Sequence, residues 1–461
     1  MNATIANLVY IFGVAGLFYL NRDKSARTSK AVWLPVLYLW VLGSRPVSYW
    51  LGGSTEANAN NIQLDSPLDE AFFGILFIAA LGVLVYRGPR VLNLLKANGP
   101  ILIYFVFCLL SVLWSDSPGV AFKRAIKAVL DPAMILIVLT DRQPLAALSR
   151  LFSRTAFILV PFSLLYCKYY PALGRTYDPW TGRQLFTGLT TDKNMLGVIT
   201  YVLLLGALWR FLTLLRSEEV PSHRVRSLFA QGTLLALGIY LLITADSVTS
   251  KVSFTVGTLL MLAMSSRFIR RHTVAIHTLV LLLIVTVSAP LFLGGGGGAV
   301  QALGRDATFS GRRDIWAGVI RLAPNPLIGA GFESFWSPIV RQKLSESVVG
   351  QDLNEAHNGY IEVYLELGWV GLTLMAFMLI HGYRRSMATF RRDPSWGGML
   401  IAFIVSAMVY NLTEAGFRMM DPIWIFLLLA IFGSSGALFV TESSKFHNVA
   451  ANQMRGLTTA T

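Results

Sequence analysis

The chain has 461 residues, 54% of them apolar and 14% charged, with a mean hydropathy of +0.57. A soluble globular domain carries about 25% charged residues, so a mainly water-facing surface is excluded. The net charge of +14 would suit nucleic acid in a soluble protein, but at this hydropathy it fits the basic cytoplasmic loops of a membrane protein, and no nucleic-acid partner is expected.

Apolar segments follow one another at 4–20, 31–44, 71–86, 101–114, 125–140, 155–170, 194–215, 228–244, 251–266, 273–293, 358–380, 397–413 and 422–440. A helix needs roughly 20 apolar residues to cross the hydrocarbon core, whereas barrel strands alternate and are half as long. The expected fold is an all-α integral membrane protein with about 12-13 transmembrane helices and one large outer loop. Segment 251–266 is short and opens with Lys251. The N-terminus has no basic residue before its apolar stretch, since Arg22 follows it; an uncleaved first helix is expected. Cys108 and Cys167, within or at the ends of apolar segments, read as packing residues.

Alternate loops divide into two sets. The short loops 21–30, 87–100, 141–154, 216–227, 267–272 and 381–396, with the tail from 441, carry most of the Lys and Arg. They are expected to be cytoplasmic, which places the long loop 294–357 outside. The expected organisation is 1–293 membrane helices, 294–357 outer loop, 358–440 membrane helices and 441–461 cytoplasmic tail. The glycine run 294–298 reads as a flexible entry to the loop. Gly311 to Leu322 reads as a short helix ending before Pro324. Its face of Arg312, Trp316 and Val319 suits a helix lying on the membrane interface.

Cations collect at the outer helix ends: Lys123, Arg124, Lys193, Lys251 and Arg312. As a set they suit an anionic lipid-linked group such as a diphosphate; singly, each also suits snorkelling to membrane lipids. Only one of the six histidines, His357, falls on the outer side. Helical spacing puts Tyr360 and Tyr364 on its face, whereas Glu362 and Glu366 point elsewhere and read as braces to another helix. The chain has no Asp-x-Asp, His-x-x-x-His or P-loop motif, so no metal or cofactor is expected.

The segment His357-Asn358-Gly359-Tyr360, running through Glu366-x-Gly368, resembles the signature of the bacterial O-antigen ligase and polymerase superfamily, which includes exopolysaccharide polymerases. Ser310-Gly311-Arg312 with Trp316, Pro326-Leu327-Ile328-Gly329-x-Gly331, Lys193-Asn194-x-x-Gly197 and Trp114-Ser115-Asp116-Ser117-Pro118 are similar to further family elements, in matching order over roughly 110–375. Where relatives tend to have Ser-x-Ser-Arg, this chain reads Ser247-Val248-Thr249-Ser250-Lys251, a point charge in place of a planar fork. The resemblance implies a glycosyltransferase of a bacterial inner (plasma) membrane acting at the periplasmic face. The donor would be an undecaprenyl-diphosphate-linked glycan, and the acceptor a saccharide or lipid-linked saccharide. Arg312, Lys193, Lys251 and Lys123 or Arg124 would hold the diphosphate without metal. His357, kept neutral by the positive end of its helix, would act as general base in an inverting displacement. Tyr360 and Tyr364 would position a sugar. A transporter or flippase of lipid-linked saccharide is the alternative. Such proteins place ionisable groups near the midplane and often carry internal repeats, neither of which is evident here.

Overall fold

The computed structural model describes residues 2–23, 26–52, 66–178, 182–216, 221–292, 308–346 and 353–435. The protein is an all-α integral membrane protein. Among the described residues seven helices are long and apolar enough to cross a membrane: Ala3–Leu20, Pro67–Tyr86, Pro144–Tyr169, Lys193–Arg216, His223–Ala245, Val248–Ser265 and Gly359–Arg392. The pair Gly88–Lys96 and Gly99–Trp114 is bent by 90°, and Lys30–Leu42, Thr273–Ala289, Pro394–Tyr410 and Pro422–Gly433 are shorter apolar helices. Each of the thirteen expected apolar segments therefore overlaps a helix, seven of them as long spans and the rest as the bent pair or as shorter helices. The 125–140 segment, for example, is divided between Pro118–Ala128 and Leu130–Leu139, each too short to cross alone. Prolines open many of these helices, including Pro67, Pro144, Pro394 and Pro422, where the missing N–H costs nothing. A small antiparallel hairpin, Arg175–Tyr177 with Gln184–Phe186, interrupts the helical pattern.

Burial runs opposite to that of a soluble protein. Helix 422–433 is buried along its whole length and 394–410 almost so, and both are apolar on all sides, the mark of a central element. Peripheral helices expose large apolar side chains such as Phe12, Ile78, Val85 and Leu281, a surface that suits lipid. The short helix 248–265 packs its Thr249–Ser253 end and Gly257 into this centre, which is why its composition is mixed. One polar tie crosses the apolar interior: buried Asp131 accepts from the Tyr38 hydroxyl at 2.6 Å and from Met420 N–H at 3.0 Å.

The described part of the long loop folds onto one end of this bundle around a second core of Ile315, Val319, Phe335, Leu344, Leu353 and Leu365. Its helix runs Thr308–Arg321. Val319 is fully buried there and the Trp316 indole donates to the Ala356 carbonyl at 2.9 Å. The expected membrane-interface face is thus turned into protein. The glycine run and the tail from 441 lie outside the described residues.

Helix Gly359–Arg392 is broken at Gly368, whose φ is +62°. The break frees the carbonyls of Leu365 and Glu366, and the loop supplies their donors: Ala330 N–H at 2.9 Å and Gly331 N–H at 2.8 Å. In return Trp369 and Val370 N–H donate to the carbonyls of Pro326 and Leu327. A Cβ on Gly368 would lie 2.3 Å from the Leu327 carbonyl carbon, and one on Gly329 2.3 Å from that of Glu366. Both glycines are therefore demanded by backbone-to-backbone approach. The Trp114 indole donates to the Ile328 carbonyl and Ser111 Oγ accepts from Phe332 N–H, so the turn after helix 99–110 clamps the same segment.

Candidate active site

Three stretches of chain meet where the loop returns to the membrane: 355–360, 411–418 and the start of helix 308–321. Asn358 caps helix 359–392 by accepting from the N–H groups of Tyr360 and Ile361, and its amide donates to the Leu412 carbonyl. Gly359 N–H donates to the carbonyls of Asn411 and Glu414. A Cβ at Gly359 would fall 1.9 Å from Asn411 Oδ1, so only glycine allows the 411–414 turn to approach.

This approach builds a chain of alternating charges. Arg312 donates to the Thr413 carbonyl and pairs with Glu414 Oε1 at 3.3 Å. Glu414 Oε2 lies 3.4 Å from His357 Nδ1, and Glu355 Oε1 lies 2.8 Å from the same nitrogen. Glu355 then pairs with Arg418 at 3.3 Å. Burial alone would push the His357 ring down, but its hydrogen bonds to Glu355 and Glu414 and their charges outweigh that and raise it to about 10. The Glu355 carboxyl is pushed up by burial and, more strongly, held down by His357, Arg418 and Arg312, and is lowered in sum. His357 is therefore an imidazolium at neutral pH. This corrects the expectation of a ring kept neutral by the helix dipole: two carboxylates at hydrogen-bond range outweigh a partial helix charge.

The expected tyrosines have structural partners. The Tyr360 hydroxyl donates to the Met408 carbonyl at 3.1 Å and its ring stands edge-on to Phe417, while Tyr364 packs edge-on against Trp369. Among the described residues neither hydroxyl bonds to the His357 ring.

The other expected cations fall into three places. Lys251 and Arg183 bind the two oxygens of Asp246, each at 2.9 Å, and Lys193 is close enough to help lower that carboxyl. This group adjoins the charge chain through Thr249 Oγ1, which is 2.8 Å from Thr413 Oγ1. Gly197 lets helix 193–216 sit against the same turn, since a Cβ there would lie 2.5 Å from Ser250 Oγ. Arg124 donates to the Glu333 carbonyl and lines a cavity of about 250 Å³ with Trp336, Glu362, Glu366, Phe417 and Arg418. That cavity meets the charge chain through Arg418, and through Glu362, which accepts from Ala356 N–H. Lys123 instead makes an exposed pair with Glu70 at 3.4 Å and stands apart from both groups.

Sequence reasoning missed Glu355, Glu414, Arg418 and Arg183. Glu414 and Arg418 occupy a break between two apolar helices, where the polar run Asn411-Leu412-Thr413-Glu414 was the available signal. Backbone strain marks the same region. Among the described residues four non-glycines have positive φ: Asp246, Glu333, His357 and Met420. Three belong to the groups above, and Met420 closes the turn that carries Arg418. Such conformations persist only where the surroundings over-determine them.

A family model described as O-antigen ligase matches residues 233–376, a span that contains Lys251, Arg312, Glu355, His357 and the Gly368 break. The chain is also 25% identical over 320 residues to the exopolysaccharide production protein ExoQ of Rhizobium meliloti (strain 1021), covering 67% of this chain and 69% of that protein. These likenesses support a place in the O-antigen ligase/polymerase-like superfamily. The protein is a multi-pass membrane protein of polysaccharide biosynthesis, and a glycosyltransferase-type enzyme by that family. Its matched motifs divide by role. Pro326–Gly331 and Gly359 inside the matched span, with Trp114-Ser115 and Gly197 before it, hold the scaffold together, while Arg312 and His357 present the charges.

Proposed function

We propose that the protein transfers or polymerises a saccharide carried on undecaprenyl diphosphate, at the periplasmic face of a bacterial inner membrane. The observation that carries this reading is the Arg312–Glu414–His357–Glu355–Arg418 chain, set beside the Lys193, Lys251 and Arg183 group. A diphosphate leaving group gathers negative charge as the anomeric bond breaks. Arg312 offers it a planar fork, and Lys193 and Lys251 add point charges. His357, already charged, donates to the same oxygens or holds the carboxylates in place. A carboxylate of the Glu355–Glu414 pair takes the proton of the acceptor hydroxyl, as carboxylates do in other glycosyl chemistry. A single displacement inverts the anomeric carbon. The neighbouring cavity, with carboxylates and the Trp336 and Phe417 rings in its walls, suits a sugar: hydroxyls to the acids, ring faces to the aromatics.

Glu355, His357 and Glu414 also place three ligand-type atoms within 4.8 Å of one another, a spacing a metal ion could use. The two carboxylates already face three positive charges, Arg312, Arg418 and the ring proton, so a metal ion would have to displace the ring proton and compete with both guanidinium groups. On this reading transfer needs no metal. Purified protein should extend a diphosphate-linked donor equally well in EDTA and in magnesium. Strict dependence on a divalent ion would give the trio to a metal and end this reading.

A further inference from the structure

A second polar cavity, of about 670 Å³, lies at the other end of the bundle. Helix 67–86 runs between the two ends: Glu70 near its start pairs with Lys123, the neighbour of Arg124, and Tyr86 at its end borders the second cavity. Sixteen residues at 1.5 Å each separate Glu70 from Tyr86 by about 24 Å, most of one hydrocarbon thickness.

Three distant segments supply the cavity with cations: Arg27 and Lys30, Arg87 and Arg90, and Arg142. The framework is tied down from within. Arg87 bonds the Ile137 carbonyl, Thr140 Oγ1, Ser29 Oγ and buried Asp141. Ser29 N–H donates to Asp141, Arg27 N–H to Gln143, and Arg150 holds Thr28 and the Ala26 carbonyl. Asp141 is thus committed to Arg87. Among the described residues Arg27, Lys30, Arg90 and Arg142 pair with no carboxylate and are exposed, and Arg90 and Arg142 act on Arg87 with like charge. The remaining wall is apolar and continuous with the lipid-facing side of helix 67–86 at Ala79, Gly82, Val83 and Tyr86.

We propose that this cavity binds the headgroup of an anionic phospholipid carrying two phosphates, with an acyl chain laid along Ala79–Tyr86. Four uncompensated cations around one concavity match two phosphodiesters. Basic loops that obey only the inside-positive bias have no need to converge from three parts of the chain or to be braced by a buried Arg–Asp pair. A polyprenyl phosphate offers similar phosphate chemistry with a different tail, its charge of about −1.5 to −2 held on a single phosphate instead of two.

The test uses native mass spectrometry of the full-length protein in detergent, titrated separately with cardiolipin, phosphatidylglycerol and undecaprenyl phosphate. Arg27→Gln/Arg90→Gln/Arg142→Gln should bind cardiolipin about 10²-fold more weakly than the parent, at about five-fold per cation. Arg391→Gln/Arg392→Gln, which removes exposed cations from the same end of the bundle, should bind it as the parent does. Equal loss in both variants, or no loss in the triple variant, would reduce the cavity to ordinary basic surface. Tighter binding of undecaprenyl phosphate than of cardiolipin would overturn the phospholipid assignment.

Discussion

Replacing Arg312 separates chemistry from scaffolding. Its guanidinium is 14% exposed and touches the Thr413 carbonyl and Glu414, which is 5% exposed. Arg312→Met keeps the bulk and removes both contacts, leaving Glu414 with only its partner His357. Stability should fall, because a poorly solvated carboxylate loses a partner, and thermal unfolding of the detergent-purified protein reads that loss directly. The catalytic loss is separate. An oxyanion-stabilising donor is worth about 2.7–4 kcal/mol, so turnover of the folded protein should drop by about 10²–10³. Arg312→Lys keeps the charge but can reach only one of the two partners, and should recover part of the rate. The assay follows glycan extension from a diphosphate-linked donor, with each rate divided by the folded fraction from size-exclusion chromatography. If the Arg312→Met rate falls only as far as its folded fraction, Arg312 is a strut and the diphosphate assignment fails.

Other outcomes follow from the same geometry. His357, raised to about 10, keeps its proton below that pH and loses it only as pH rises through it. Activity between pH 5 and 8 should therefore show no rise that disappears in His357→Gln; a rise with a midpoint near 6.5 that the variant abolishes would restore the ring as the base. Gly368→Ala should undock the loop, because its φ of +62° and the 2.3 Å approach to Leu327 leave no space. The cost should be at least about 1–3 kcal/mol, seen as faster proteolysis within 326–331, and unchanged cleavage would contradict the clamp. Alkaline phosphatase fused near Ser345 should be active and fused after Thr441 inactive, and the reverse would put the charge chain on the cytoplasmic side.

The membrane class, the positions of the helices and the family motifs were legible in the sequence because each is local: long apolar runs, prolines at helix starts, glycines at fixed spacing. What the sequence concealed is tertiary. Gly368 stands inside a continuous apolar pattern, so nothing local announces that the helix breaks there to accept Pro326–Gly331. Tyr360 shares a helical face with His357, yet its hydroxyl goes to the Met408 carbonyl, because the neighbouring 394–410 helix is nearer than the ring. The neutral state expected of His357 came from the one field that local sequence reveals, the helix dipole. The fields that prevail come from Glu414, 57 residues away, and from Glu355, which lies two residues before the histidine in a loop whose course the pattern did not fix. Lys123 and Arg124, adjacent in sequence, face different partners, Glu70 and the Glu333 carbonyl, so a cationic cluster read from spacing divides in space.

The most direct test of the central claim is transfer by the purified protein alone. Wild-type protein, Arg312→Met and His357→Gln would each be incubated in EDTA with a saccharide on undecaprenyl diphosphate, and the products resolved by mass. The account predicts longer glycan with release of undecaprenyl diphosphate from the wild type, and almost none from either variant. Intact donor in every reaction, with the wild-type protein instead moving it across a vesicle bilayer, would contradict the account and assign the same charges to transport.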